Sequence, residues 1–150
     1  LGDVTWSSGS ARLIDDYGHH PTELAVTLKA VREAFAGRRL VMVYQPHRYT
    51  RTRDHFDEFV SVLSEGQQLV LLDVYSAGEP SIKGADSLSL ANAIRTDGAI
   101  DPIVVSDQTQ LAKTLIEVLQ DQDVLLMQGA GDIGRLAATL AQAERLEVLS

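Results

Sequence analysis

Short apolar runs alternate along the chain with longer segments in which apolar residues return every three or four positions. Ala11 to Asp15 is expected as a short strand. From Pro21 to Phe35, residues Leu24, Leu28, Val31 and Phe35 recur at helical spacing and share one face. Pro21 suits a first helical position and Gly37 a stop. Leu40 to Gln45 is an apolar strand. Thr52 to Leu63 is expected as one helix, with Phe56, Phe59, Val60 and Leu63 inward, ended by Gly66. Leu69 to Tyr75 is a third strand, followed by the loop Ser76 to Ser87 and a short helix, Leu90 to Arg95. Ile103 to Val105 is a fourth strand. Asp107, with Gln110 three residues on, predicts a capping box that opens a helix from Gln108 to Leu119. Val124 to Gln128 is a fifth strand. A last helix spans Asp132 to Glu144, with Ile133, Leu136, Ala137 and Leu140 inward, and Glu147 to Leu149 is expected as an edge strand.

Strands that are apolar without interruption are buried on both faces. Helices between them require right-handed crossovers and a parallel sheet. The expected fold is therefore α/β, an open sheet of about five or six strands. Residues 1–10, with Trp6-Ser7-Ser8-Gly9-Ser10, read as a linker or a strand belonging elsewhere.

Composition narrows the classes. The 150 residues are 45% hydrophobic and 23% charged, which fits one ordinary domain and excludes wholesale disorder and low-complexity arrays. The absence of cysteine removes disulfides, thiolate zinc sites and cysteine nucleophiles. A formal charge of 13 − 21 = −8 argues against a broad nucleic-acid surface but leaves room for a local basic site. The longest apolar runs, such as Leu69 to Leu72, are too short to cross a bilayer, so no membrane partner is expected. No signal-peptide pattern opens the chain, and a cytoplasmic setting is the expectation. The start at Leu1 rather than methionine fits a processed chain or an excised domain.

In an open parallel sheet, ligands bind outside the carboxyl ends of the strands. Three of the four histidines, His19, His20 and His47, fall there with a cluster of arginines. Arg48 and Arg51 flank the start of a helix. Guanidinium forks grip phosphate or carboxylate in two-pronged fashion, and a helix N-terminus adds free N–H groups. The competing reading is a solvated basic loop. Arg53, one turn in, is expected to face solvent. The histidine spacing matches no metal motif. His19 and His47 suit substrate contact or proton handling, and His20 suits a cap or turn. Asp16 suits sugar hydroxyls. Tyr17 offers a flat face and a phenol, or is a packed boundary tyrosine. Gly129-x-Gly131-x-x-Gly134 matches the dinucleotide fingerprint literally, but the chain stops at Ser150 before the acidic residue that completes it. A tight turn with close backbone approach is the better reading. No GxxxxGK[ST] phosphate loop occurs, so any ATP site lacks its triphosphate cradle here.

Asp15-Asp16-Tyr17-Gly18-His19-His20-Pro21-Thr22-Glu23 and Gln45-Pro46-His47-Arg48-Tyr49-Thr50-Arg51-Thr52 resemble the Mur ligase family. Within it they are similar to the members that join L-alanine to UDP-N-acetylmuramate. Tyr75-Ser76-Ala77-Gly78-Glu79, Gly84-Ala85-Asp86-Ser87 and Gln128 to Gly134 fit in the same order, over about residues 11–142. The resemblance implies a three-domain, ATP-dependent ligase of peptidoglycan precursor synthesis. The first domain binds the UDP-sugar, and the central one carries the phosphate loop and the Mg2+ ligands. Residues 11–150 would be the third, C-terminal domain, and residues 1–10 a linker or the tail of the central ATPase domain. The implied fold is a Rossmann-like open sheet of about six mostly parallel strands with helices on both faces. The implied reaction passes through an acyl phosphate, which the amine of L-alanine attacks. Both steps build negative charge that fixed cations stabilise. By resemblance, Asp16 and Tyr17 line the ribose and adenine side. His19, His47, Arg48 and Arg51 lie near the γ-phosphate, the acyl phosphate and the incoming amino acid, which Tyr17 also borders. Glu79 stands where relatives select the amino acid. The fragment alone is expected to be inactive and to bind ATP weakly or not at all. Two alternatives stand beside this reading. One is a non-catalytic nucleotide-binding or regulatory α/β module. The other is an NAD-dependent oxidoreductase, which rests on the glycine pattern alone.

Overall fold

The computed structural model describes residues 2–65, 67–98 and 100–150. The chain runs β1 (Gly2–Trp6), β2 (Gly9–Asp16), α1 (Pro21–Ala34), β3 (Leu40–Tyr44), α2 (Tyr49–Asp54), α3 (Phe56–Leu63), β4 (Gln68–Leu72), α4 (Ser87–Asp97), β5 (Ile103–Val105), α5 (Leu111–Val118), β6 (Val124–Gln128) and α6 (Ile133–Gln142). Turns of 3-10 helix cover Gln108–Gln110 and Leu146–Leu149. The six strands form one sheet in the order β1-β2-β6-β3-β4-β5, parallel except for β1, which pairs antiparallel with β2. This is the Rossmann-like α/β architecture that the sequence implies.

Alternation within each central strand builds two cores. Val41, Val43, Val70, Leu72, Leu125 and Met127 face one side, with α5, α6 and the last 3-10 turn. Leu40, Met42, Tyr44, Leu69, Leu71, Val124 and Leu126 face the other, with α1, α3 and α4. Handedness explains the split. From β2 through β5 the chain steps across the sheet in one direction, and right-handed crossovers place the connecting helices on one face. From β5 to β6 the direction reverses, so the same handedness sends α5 to the opposite face. All five parallel strands therefore end at one rim.

Several elements differ from the sequence expectation. Residues 2–6 are not a linker: β1 seals one edge of the sheet and buries Val4 and Trp6. The helix expected over 52–63 is two helices that begin earlier, at Tyr49. The break falls at His55 (φ −119, ψ 26). There α2 leaves the rim and α3 turns to bury Phe59 and Leu63 against the sheet. The stop expected at Gly66 lies outside the described residues. Strand β4 ends at Leu72; beyond it Tyr75 makes only a single parallel bridge, to His47. Asp107 does cap, accepting from the Thr109 amide at 3.0 Å, but it opens a 3-10 turn and α5 starts at Leu111. The edge strand expected at 147–149 is a 3-10 turn: β1 already occupies the nearby edge, and Leu146 is buried beneath it.

Candidate functional site

The basic loop hangs from the end of β3. Tyr75 clamps it through the backbone: its amide donates to Pro46 O at 2.8 Å, and the Arg48 amide donates to Tyr75 O at 2.7 Å. Its ring stacks on His47, centroids 5.5 Å apart at 15°. Between these ties Arg48 adopts φ 72, ψ 142, a conformation that a side chain tolerates only at a cost of roughly 1–3 kcal/mol. Arg48 O receives the Thr52 amide and hydroxyl, and its guanidinium is exposed, with no side-chain hydrogen bond among the described residues. Arg51 donates to His47 Nδ1 at 2.8 Å and to His47 O at 3.1 Å. Arg53 faces solvent and pairs with Asp54. After Tyr75 the chain reverses through Ala77 (φ 52) and Gly78 (φ 87). That turn brings Glu79 to the start of α2, where it accepts from Thr50 Oγ1 at 2.6 Å and the Thr50 amide at 3.1 Å. These bonds, the hydroxyl first, hold the Glu79 carboxyl below its ordinary range.

The first loop stands beside the second. His19 and His47 have ring centroids 5.8 Å apart. Asp16 is fastened by one oxygen: Oδ2 accepts from Gln128 Nε2 (2.6 Å), the Gly18 amide (2.9 Å) and Thr27 Oγ1 (3.2 Å). Its Oδ1 has no partner among the described residues and is available to a ligand. Tyr17 is 78% exposed, so it is not a packed boundary residue. Asp16, Tyr17, Val26 and Thr27 line a shallow hollow beside the two histidines. A Cβ at Gly18 would lie 2.7 Å from Gln128 Nε2, so the turn needs glycine. His20 is the N-cap of α1, its Nδ1 accepting from the Thr22 amide, and Glu23 completes the box. The Glu23 carboxyl sits below its ordinary range, chiefly through the His20 and then the His19 amide.

His47 is pushed below the ordinary histidine value, first by burial and then by Arg51. His19 and Arg48 add to this, and Glu79 opposes it. Two loops, two histidines and two arginines thus share one rim, next to a carboxylate with a free oxygen. That arrangement suits an anionic ligand attached to a hydroxylated ring. Among the described residues, no three His, Asp or Glu side chains come together as a metal site.

The glycine turn after β6 has a different purpose from its literal match. A Cβ at Gly129 would stand 2.8 Å from Gln45 O. At Gly131 it would stand 2.5 Å from Gln45 Oε1 and 2.6 Å from Tyr75 Cγ. Gly134 meets nothing closer than 3.7 Å. Gln45 Oε1 accepts the Ile133 amide at 3.2 Å, and its Nε2 donates to Asp132 at 2.6 Å. The start of α6, where a pyrophosphate would dock in a dinucleotide enzyme, is filled by the protein's own glutamine. Sequence reasoning did not single out Gln45, Tyr75, Gln128 or Asp132 individually. For the two glutamines the available signal was a polar residue ending an otherwise apolar strand.

The family model described as "Mur ligase, glutamate ligase domain" matches residues 3–131. Among solved structures, the UDP-N-acetylmuramate–alanine ligase of Thermotoga maritima is 25% identical, with a TM-score of 0.63 over 85% of this chain and 25% of that one. A domain of a Haemophilus ducreyi protein, named as a UDP-N-acetylmuramate:L-alanyl-gamma-D-glutamyl-meso-diaminopimelate ligase, is 19% identical, with a TM-score of 0.63 over 97% of this chain and 95% of that one. The murein peptide ligase of Psychrobacter arcticus is 18% identical, with a TM-score of 0.65 over 95% of this chain and 29% of that one. The chain therefore spans about a quarter of the length of the Thermotoga enzyme and belongs to the family of Mur ligase C-terminal domains.

Proposed function

We propose that this chain is the C-terminal domain of an ATP-dependent ligase that joins L-alanine to UDP-N-acetylmuramate in peptidoglycan precursor synthesis. The convergence of His19, His47, Arg48 and Arg51 on one rim, beside the free oxygen of Asp16, carries the reading. The choice of L-alanine rests on the histidine-bearing motifs and on likeness to the Thermotoga enzyme. Asp16 Oδ1 would accept ribose hydroxyls, with Tyr17 and Val26 against the base. Arg48, exposed and without a side-chain hydrogen bond among the described residues, would meet the γ-phosphate and then the acyl phosphate. Arg51 and His47 would form a second cationic and donor face toward the developing oxyanion. Glu79 would serve the amino-acid side through Thr50, by holding the start of α2. The phosphate loop and the Mg2+ ligands would come from a central domain of the longer protein, working in the cytoplasm.

Phosphate release by the full-length protein with ATP, UDP-N-acetylmuramate and L-alanine, compared with glycine and L-serine, tests the assignment. Arg48→Ala should cut turnover by more than about tenfold, because a charge aimed at a developing anion is lost. Unchanged turnover would return the domain to a non-catalytic nucleotide-binding role.

A further inference from the structure

The two neighbouring histidines are held in opposite tautomers by partners whose hydrogen-bonding roles are not negotiable. A guanidinium nitrogen only donates. The 2.8 Å contact from Arg51 therefore needs a lone pair on His47 Nδ1, and neutral His47 carries its proton on Nε2. A backbone carbonyl only accepts. The 3.3 Å contact between His19 Nδ1 and Tyr17 O therefore needs Nδ1–H, which leaves the lone pair of His19 on Nε2. Neither Nε2 has a partner among the described residues, and both rings lie at the rim.

We propose that His19 Nε2 is the acceptor of the proton released by the incoming amino group, while His47 Nε2–H donates a hydrogen bond to the oxygen that gains charge in the same step. The assignment deepens the ligase reading and rests on it. In the step, the ammonium group gives one proton to His19 Nε2, and the freed lone pair forms the C–N bond to the acyl carbon. The C–O bond to phosphate then breaks, and the nitrogen's surplus proton leaves with the phosphate. His19 returns its proton to solvent.

The surroundings fit this division. Glu23 Oε1 lies 3.9 Å from His19 Nδ1 and is itself fixed by the His19 and His20 amides, so a negative charge already stands beside the imidazolium that forms. His47 faces Arg51, Arg48 and His19, and among the described residues Glu79 is the acidic group that acts on it. Protonating His47 at Nδ1 would break the Arg51 bond and set cation against cation. The Tyr75 ring stacked on His47 keeps it in place as a donor.

Nitrogen-15 NMR of the four histidine rings in the 150-residue chain, at a pH where they are neutral, reads the tautomers directly. The expected spectrum shows a protonated Nδ1 on His19 and a protonated Nε2 on His47. Free imidazoles of histidine favour Nε2–H, so His19 is the informative ring; finding Nε2–H on both overturns the proposal. In the full-length ligase, His19→Gln should lower kcat about 100-fold or more, with recovery as rising pH supplies L-alanine as free amine. His47→Gln places an amide N–H near the lost Nε2–H and should lose about tenfold or less. His47→Ala should lose about 100-fold, and neither variant should recover with pH. A His19→Gln enzyme that keeps its turnover, or that stays inactive at every pH, also overturns the proposal. If the wild-type protein shows no turnover with L-alanine, the ligase reading falls and the proton-acceptor role with it; the tautomer split is still decided by the spectrum.

Discussion

His47 shows how a single side chain records its surroundings. Burial and Arg51 lower its pKa in the folded state. The unfolded chain therefore binds its proton at a higher pH than the native chain does. Between the two values the unfolded state holds more protons, so stability rises with pH there and falls on acidification. Below both values the penalty is complete. Thermal melts between about pH 7 and about pH 5 should show less acid destabilisation for His47→Gln than for the parent chain. Tyr75→Ala, which uncovers the ring, should flatten the slope in part, and Tyr75→Phe, which keeps the stack, should not. Tyr75 is 39% exposed, so its truncation leaves no core cavity and the comparison is made between folded proteins. Identical slopes for parent and His47→Gln would place the acid sensitivity in another group.

At the scale of elements, the site depends on caps supplied by other segments. Glu79 bonds the start of α2 from across the rim, and Gln45 bonds the start of α6 from the end of β3. Gln45 is 2% exposed, so Gln45→Ala strands the Ile133 amide near the core and leaves Asp132 Oδ1 with Gln108 Nε2 alone, at 3.2 Å. The expected loss is about 2 kcal/mol in urea unfolding, and a loss below about 0.5 kcal/mol would show that the cap is dispensable. These remote caps mark the limit of what the sequence displays. The uninterrupted apolar strands β3, β4 and β6 and the amphipathic α1 and α6 were legible, because burial on two faces or on one imprints itself locally. The charged rim was legible too, because Asp16, His19, Arg48 and Arg51 follow strand ends. The break at His55 was not: Phe56, Phe59, Val60 and Leu63 keep helical spacing right up to it, no residue there marks a stop, and only the rim's geometry demands the turn. Residues 147–149 are apolar enough for a strand, but a strand needs a free edge, and which edges are free is a property of the whole sheet. Gly2–Trp6 alternates correctly, yet Ser7-Ser8-Gly9-Ser10 beside it reads as linker. Gln45 and Gln128 escaped notice because a polar residue after an apolar run looks like the first residue of a loop.

At the scale of the molecule, folding and activity separate. Both faces of the sheet are covered by helices of this same chain, and the core clusters close on residues within it. Cooperative unfolding is therefore expected of these 150 residues by themselves. The rim, by contrast, would be one wall of a site in the proposed ligase. Under that proposal it would offer a nucleotide the free oxygen of Asp16, the open face of Tyr17 and the exposed Arg48, all on a chain whose net charge is −8. No phosphate loop cradles the triphosphate, and the helix start best placed to do so is capped by Gln45. A few one-sided contacts that must order a flexible nucleotide give little net binding, so the chain alone should hold ATP with a Kd of roughly millimolar or weaker. Titration calorimetry on the 150-residue chain, with and without Mg2+, measures this. Micromolar affinity would mean that the nucleotide site is complete within this domain, and the division of labour with a central domain would have to be abandoned. Weak binding here, joined to tight binding in the longer protein that the ligase reading proposes, would show that domain closure assembles the site from two incomplete halves.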